Sequence, residues 1–571
     1  MRWTIKPKPD PTKVRHLAEA LHVDDLVAEL LIQRGIETFD DARKFFRPTL
    51  ADLHDPFLMK DMDKAVARIE RAVANNEKIL VFGDYDVDGT TAVSLVSSYL
   101  KTFYPNVATY IPDRYDEGYG VSYKGIDYAD DNGISLIIAL DCGIKSVDHV
   151  AYANNRNIDF IICDHHRPGS EIPNAVAVLD PKQEDCNYPY DELCGCGIGF
   201  KLIQALGSRR GQTVKDLASY LDLVATAIAA DIVPMTGENR ILAKFGLEVI
   251  NAAPRPGIKA LVHQIKKKQL DITDVVFIIA PRINAAGRIK HGNHAVELLT
   301  EFDFAQAQQF ASEIELYNSS RKDLDKQITK EALLQIKNNK EQDRYSTVVF
   351  QQDWHKGVIG IVASRLIETY YRPTLVFTKS GDKYAASARS VKGFDVYNAL
   401  ESCSEHLEQF GGHMYAAGLT LKEENFFNFK NAFEKCVEQT IHPDHRIPEI
   451  EIDAEINLQD ITPKLVRILK QFEPFGPLNM TPVFSTKDLT DTGFGKTIGE
   501  DDCHLKLCVK QPHSDKIPAI GFGLGKKVDL IKNRNAFEAA FCVDENEWNG
   551  NVNQQLRLKD IRENTTQNRS S

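Results

Sequence analysis

The sequence predicts a multidomain α/β protein with a parallel sheet at its heart and a small β-barrel towards its end. Three observations lead there. The chain has 571 residues, against roughly 100–200 for a single compact domain. Apolar runs alternate with helical ones between about Lys78 and Asp180. Beyond Pro443 the pattern turns β-rich and is broken by turn residues.

Between Lys78 and Asp180 the segments KILVFGD, VATYI, SLIIALD, IDFIICD and AVAVLD are nearly all apolar, and TTAVSLVSSYL and KSVDHVAYANN lie among them. Strands alternating with helices of this length form βαβ units, and strands without polar alternation are covered on both faces. Residues 200–263 read as helices over that sheet, from the apolar periodicity of VKDLASYLDLVATAIAADIV and NRILAKFGLEVI. From Phe304 to Lys340 the chain lacks proline and glycine, and as one helix this stretch would extend about 55 Å. It is predicted to space two domains. A second α/β unit starts with TVVFQ near Ser346 and ends with FFNFKNAFEKCVEQT. The segments CHLKLCVKQ, KIPAIGFGL, AFEAAFCVDENEW and QQLRLKDI then suggest a barrel. The expected bounds are a helical extension over 1–60, a catalytic domain over 61–300, a linking helix over 301–342, the second α/β domain over 343–445, the barrel over 446–565 and a frayed tail over 566–571.

Composition narrows the function less than the pattern does. No stretch approaches the ~20 apolar residues of a membrane span. The N-terminus lacks the apolar core of a signal peptide, and the ten cysteines include no CxxC, so Cys142 and Cys163 are expected as buried thiols in a reducing cytoplasm. A net charge of −12 argues mildly against a nucleic-acid partner, because Lys and Arg drive phosphate binding. Carboxylates gathered around divalent metal would add to that total without repelling DNA once the metal is bound.

Three predicted strands end in an acid: Asp84, Asp141 and Asp164. In open α/β sheets ligands gather at the carboxyl ends of strands, so these point to one shared site. The segment DYDVDG, with Asp84, Asp86 and Asp88, also opens like a calcium-binding EF-hand loop. That loop needs a glutamate at its twelfth position, and Leu95 stands there. An acidic turn capping the next helix is the plainer alternative. It loses ground once LDCGI, CDHHR with His165 and His166, and AADIVPM with Asp231 are added. Carboxylates with imidazole suit Mn²⁺ or Mg²⁺, and two such ions sharing an acid would serve phosphoester hydrolysis. No HExxH supports a zinc protease, and GFGKT has Thr490 where a P-loop needs its first glycine, which argues against ATP binding.

DYDVDG, DCGI, DHH and ADIVPM stand in the order of the DHH phosphoesterase superfamily, and PRINAAGR with WHKGVIGIVASRL resembles its RecJ branch, over roughly Lys78 to Asp560. The resemblance implies a DHH parallel-sheet domain, a long linking helix, a DHH-associated (DHHA1) α/β domain and a C-terminal OB-like β-barrel. It implies Asp84, Asp86, Asp141, His165 and Asp231 as ligands of a two-metal Mn²⁺ or Mg²⁺ centre, with Asp141 as the bridge. His166 would act with Asp141 at the scissile phosphate, while Asp88 organises the loop. Ser387 and Arg389 would hold a 5′ phosphate with Arg114, and Gly411, Gly412 and His413 of the FGGH motif would contact substrate. Arg282 and Asn284, with Arg288 in the same segment, either line the strand's passage or form a hinge. The activity implied is 5′→3′ degradation of single-stranded DNA to 5′-mononucleotides in recombination and repair. A strand with a free 5′ end is then the substrate, and a RecQ-type helicase and a single-stranded-DNA-binding protein are candidate partners. Lys526, Lys527 and Lys532 would belong to a basic groove on the barrel. One departure from the family pattern is Leu478 and Met480, where glycine and proline are common.

A phosphatase for short oligonucleotides is the nearest enzyme alternative; the barrel and long helix disfavour it. A non-catalytic nucleic-acid scaffold is disfavoured because every expected ligand position is filled.

Overall fold

The computed structural model describes residues 1–548 and 551–564. The tail expected to be frayed, 566–571, lies outside the described residues. The chain divides into two units, Leu53–Ile447 and a second made of Met1–Asp52 with Pro448–Ser571.

The first unit holds a five-stranded parallel sheet in the order Val107–Tyr110, Lys78–Gly83, Ile134–Leu140, Asp159–Cys163, Ala177–Leu179. Apart from the half-buried edge strand Val107–Tyr110, its strands are buried on both faces, as the near-absence of polar alternation predicts. The helix Val87–Lys101 packs on Gly195–Arg209 and Leu221–Asp231 to cover one face. Cys142 and Cys163 are buried and unpaired. The helical cover is more broken than its periodicity suggested: a short 3₁₀ segment, Val214–Tyr220, precedes Leu221–Asp231, and a π-helical turn, Val275–Ile279, runs into Ala280–Ile289.

The linking helix spans Phe304–Asn338, 35 residues, or about 52 Å. Its last turns bury Ile328, Ala332 and Ile336 against Trp354, Val358 and Leu366. The DHHA1-like part that follows has a five-stranded mixed sheet in the order Gln409–His413, Ala416–Lys422, Lys383–Arg389, Thr374–Ser380, Thr347–Phe350. Phe429 and Phe433 of the helix Phe426–Thr440 fill its core.

In the second unit seven strands form one sheet from Ala454–Glu455 to Lys496–Ile498. An added pairing of Phe484–Asp491 with His504–Lys510 curls it back on itself, giving the barrel. Most of the stretch expected as a separate helical extension over 1–60 belongs here instead, residues 1–52, while 53–60 goes with the first unit. Arg2–Ile5 pairs in parallel with Glu449–Ile452, and Leu17, Leu30 and Phe45 join the barrel's core. Phe45 meets Phe472 edge-on at 5.2 Å. Sequence periodicity shows that these helices are amphipathic but not which surface their apolar faces cover. Two of the three lysines expected in a basic groove are taken up by ion pairs, Lys527 with Asp560 and Lys532 with Asp529, each at 2.5 Å. Leu478 sits in the left-handed region at φ 61° and is exposed.

Candidate active site

Most of the acids collect because they end a strand or stand at a helix N-terminus at the carboxyl end of the sheet, and Asp231 joins them as the last residue of the helix Leu221–Asp231. Asp84 follows Lys78–Gly83, and its Oδ1 accepts from Gly120 N at 3.2 Å. Asp86 caps Val87–Lys101 through Gly89 N. Asp88, one residue into that helix, accepts from Gly195 N and Cys196 N at 2.6 and 2.7 Å, tying two helix N-termini together. A Cβ on Gly195 would lie 2.6 Å from that of Asp141, so only glycine permits this approach. Asp141 itself stands at φ 59°, and Ile232, next to Asp231, at φ 60°. A β-branched residue in that region is strained, and such strain gathers at functional sites.

His165 Nε2 faces three carboxylates: Asp141 at 3.2 Å, Asp231 at 3.7 Å and Asp88 at 3.8 Å. Asp141, His165 and His166 form one group able to grip a metal ion, and Asp88, His165 and Asp231 form another. Asp84 and Asp86 stand outside both trios but within electrostatic reach of Asp141.

Burial, followed by repulsion from neighbouring acids, pushes the carboxyls of Asp84, Asp141 and Asp231 well above the usual range and Asp88 to about 7. Burial likewise drives His165 down to about 3, keeping its imidazole neutral with a lone pair to offer. Asp84 Oδ2 and His165 Nδ1 are buried without a hydrogen-bond partner. Excess negative charge, a neutral imidazole and an orphaned carboxylate oxygen make a donor set that fits hard divalent cations.

Asp164 plays a different part. Its Oδ1 accepts from His165 N, His166 N and His166 Nδ1 at 2.8, 3.2 and 2.7 Å, and its Oδ2 accepts from Ile144 N at 2.9 Å. Burial would raise it, but the hydrogen bond and charge of His166 prevail and hold it at about 2. His166 Nε2 is thereby turned towards Tyr119, whose hydroxyl lies 3.1 Å away. Across the cleft His413 lies parallel to His166, 6.4 Å between ring centres. The FGGH segment reaches it by a strand in which Gly412 has φ 146°, and a Cβ there would sit 2.4 Å from Ala416 O. Gly411 lies open beside it.

A cationic pocket adjoins the acids. Arg114 lies over the Tyr85 ring at 4.4 Å. Arg389 donates to Ser387 Oγ at 3.1 Å, and a Cβ on Gly360 would crowd both side chains. Arg288 donates to Gly357 O at 3.0 Å; burial, then repulsion from Arg114, Arg389 and Arg321, lowers it to about 9. Arg282 is not part of this pocket: Glu315 of the linking helix holds it at 2.6 Å. Asn284 is half-buried on Ala280–Ile289, the helix that carries Arg282.

Three family models match the chain in succession: the DHH family, N-terminal domain, over residues 78–228; the DHHA1 domain over 342–439; and the RecJ OB domain over 452–560. The single-stranded-DNA-specific exonuclease RecJ of Bacillus subtilis (strain 168) is 37% identical over 567 residues, covering 98% of this chain and 70% of that protein. The chain belongs to the RecJ family. Its likeness to the RecJ of Escherichia coli (strain K12) is 31% over 562 residues, covering 94% of this chain and 95% of that one. The crystal structure of RecJ in complex with Mn²⁺ from Thermus thermophilus superposes with a TM-score of 0.85 at 27% identity, over 98% of this chain and 79% of that chain.

Several residues of this RecJ-family site escape a reading of motifs alone. Arg288 lies inside PRINAAGR but gave no separate signal of its burial among arginines. Asp180 ends the strand Ala177–Leu179, is fully buried with Oδ2 unpartnered, and is raised to about 7 chiefly by burial. The strand-end rule that found Asp84 applies to it equally. Tyr119 sits between Gly118 and Gly120, both at positive φ, a loop signature visible in DEGYG.

Proposed function

We propose that this protein degrades single-stranded DNA from a 5′ end, releasing 5′-mononucleotides, and serves recombination and repair. The observation that carries this is the half-buried arginine pocket beside the acid cluster. Arg114, Arg288 and Arg389 crowd together, Asp86 offsets only part of their repulsion on Arg288, and Ser387 is held by Arg389. Such a pocket wants a dianion, and a terminal phosphate supplies one where an internal phosphodiester carries a single charge. Polarity follows: the 5′ phosphate seats first, and the next phosphodiester meets the acids.

Asp84, Asp86, Asp141, His165 and Asp231 would hold two divalent ions, Mn²⁺ or Mg²⁺. When bound, these ions activate water and neutralise charge on the phosphoryl group. The chain's own residues do the rest. Asp141 is central to the cluster, in contact with His165 and carbonyl-linked to Tyr119 at 3.3 Å. Asp164 accepts from His166 Nδ1 and so turns Nε2 to the cleft. Burial works against a charged ring, but the hydrogen bond and charge of Asp164 raise its proton affinity above the ordinary value, and as the imidazolium it donates from Nε2 to a phosphoryl oxygen. His413 closes the opposite side, and the FGGH backbone gives the strand close access. A RecQ-type helicase and a single-stranded-DNA-binding protein as partners, action without ATP and a cytoplasmic location complete the proposal; for these the support is the family resemblance. No helix among the described residues is long and apolar enough to cross a membrane.

The test is an Mn²⁺-dependent digest of one oligonucleotide labelled in turn at each end, offered single-stranded and as a blunt duplex. Early release of a 5′-labelled mononucleotide from the single strand alone is expected. Intact long strands beside rapid hydrolysis of dinucleotides would overturn the reading.

A further inference from the structure

A second set of cations stands on the far side of the acids from Arg114. Arg114 follows the strand at one edge of the parallel sheet, whereas Lys145, Arg167 and Lys182 follow its third, fourth and fifth strands. Neighbouring strands lie about 4.8 Å apart, so the two edges are separated by about 19 Å. Asp84 and Asp141 lie between, at the ends of the second and third strands. That width accommodates a terminal phosphate at one edge, the scissile phosphate over the acids and further phosphates beyond.

The three later loops are bound to one another. Ile144 N donates to Asp164 Oδ2, and Asp164 N to Leu179 O at 3.0 Å. The Lys145 stem lies beside Gly169, so its side chain reaches across to the loop that carries Arg167. Lys145 and Arg167 are exposed, and among the described residues neither has a hydrogen-bond or ion-pair partner. Lys182 reaches only Glu192, at 3.8 Å. All three converge electrostatically on His413: after burial and His166, it is these cations that depress its proton affinity. Lys145 and Arg167, like charges without an ion-pair partner among the described residues, repel one another until an anion arrives.

We propose that Lys145, Arg167 and Lys182 bind the phosphates on the 3′ side of the scissile bond. The strand then lies across the carboxyl edge of the sheet, its 5′ phosphate at the Arg114 edge and its continuing chain over the opposite edge. This rests on the terminal-phosphate reading and adds a direction to it. The two charge clusters differ in kind: the arginines are half-buried and crowd around one place suited to a dianion, whereas Lys145 and Arg167 are exposed, with Lys182 half-buried behind them, and are suited to successive monoanions that must slide forward after each cut.

The experiment compares the protein with its Lys145→Ala/Arg167→Ala variant on two substrates, a 5′-phosphorylated thymidine dinucleotide and a long 5′-phosphorylated oligothymidylate. The dinucleotide has no phosphate beyond the scissile one. The ratio of kcat/KM for the long strand over the dinucleotide is expected to fall roughly tenfold in the variant. The slope of log KM against log salt on the long strand should fall by about 1.4, at about 0.7 per lost phosphate contact. Equal loss on both substrates would overturn the proposal, since these residues would then act on the chemistry itself. An unchanged ratio and slope would overturn it too. The unsubstituted protein keeps the two readings apart: failure to release nucleotides from the 5′ end of the long strand counts against the exonuclease, whatever the variant does.

Discussion

Arg288→Met removes a charge that the resting protein holds at a cost. Burial and three neighbouring arginines lower its guanidinium from 12.5 to about 9, which at about 1.4 kcal/mol per pH unit amounts to about 5 kcal/mol as an upper bound. Water reaching this half-buried residue reduces that to a few kcal/mol. The sign follows from linkage. A base whose folded pKa is depressed carries the full penalty below about 9, and the penalty fades as pH rises towards the unfolded value. At neutral pH the methionine variant should therefore be more stable by about 1–3 kcal/mol, measured by urea unfolding without substrate. The same variant should lose about 10- to 150-fold in kcat/KM on a 5′-phosphorylated strand, the worth of one charge-assisted hydrogen bond at about 1.5–3 kcal/mol. Its preference for phosphorylated over hydroxyl ends should shrink towards unity. A destabilised variant that kept the preference would refute the reasoning and make Arg288 a strut for the Gly357 carbonyl.

Other outcomes follow from the same geometry. Asp141→Ala should abolish cleavage in metal-replete buffer while single-strand binding persists in a filter assay, and unchanged turnover would displace the metal centre. Arg389→Ala should erode the preference for a 5′ phosphate through KM, whereas equal loss on both kinds of end would move the pocket elsewhere. Asp164→Asn leaves His166 Nδ1 without its carboxylate and should lower kcat far more than KM in steady-state kinetics; a pure KM effect would contradict its orienting role. Leu478→Gly relieves a left-handed backbone and should stabilise the protein by roughly 0.5–1 kcal/mol in chemical denaturation.

Much of the catalytic sheet is legible because parallel strands buried on both faces advertise themselves as unbroken apolar runs, and because its acids end those runs. Asp84, Asp141 and Asp164 can be found that way, and Asp180 obeys the same rule without a motif to call attention to it. The arginine pocket is harder to read. Arg114, Arg288 and Arg389 are 174 and 101 residues apart in successive steps, and nothing local marks Arg288 as facing other arginines while Arg282, six residues earlier, turns to Glu315. Long-range pairing is hardest of all. Lys527 looks like groove charge until Asp560 appears beside it, and the first helices give no sign that their apolar faces belong to a barrel made hundreds of residues later.

That last arrangement bears on how the protein comes into being. Arg2 pairs with Glu449, and Trp3 Nε1 donates to Asp560 Oδ2 at 2.9 Å. At about 5–20 residues per second of synthesis, the opening strand waits about 20–90 s for its partner. Meanwhile residues 53–447 emerge with all they need to form their own cores. The nuclease half can thus mature on the ribosome while the first fifty residues remain a loose amphipathic leader in need of protection. A nascent chain halted before the barrel would carry a finished catalytic sheet and an exposed, sticky beginning.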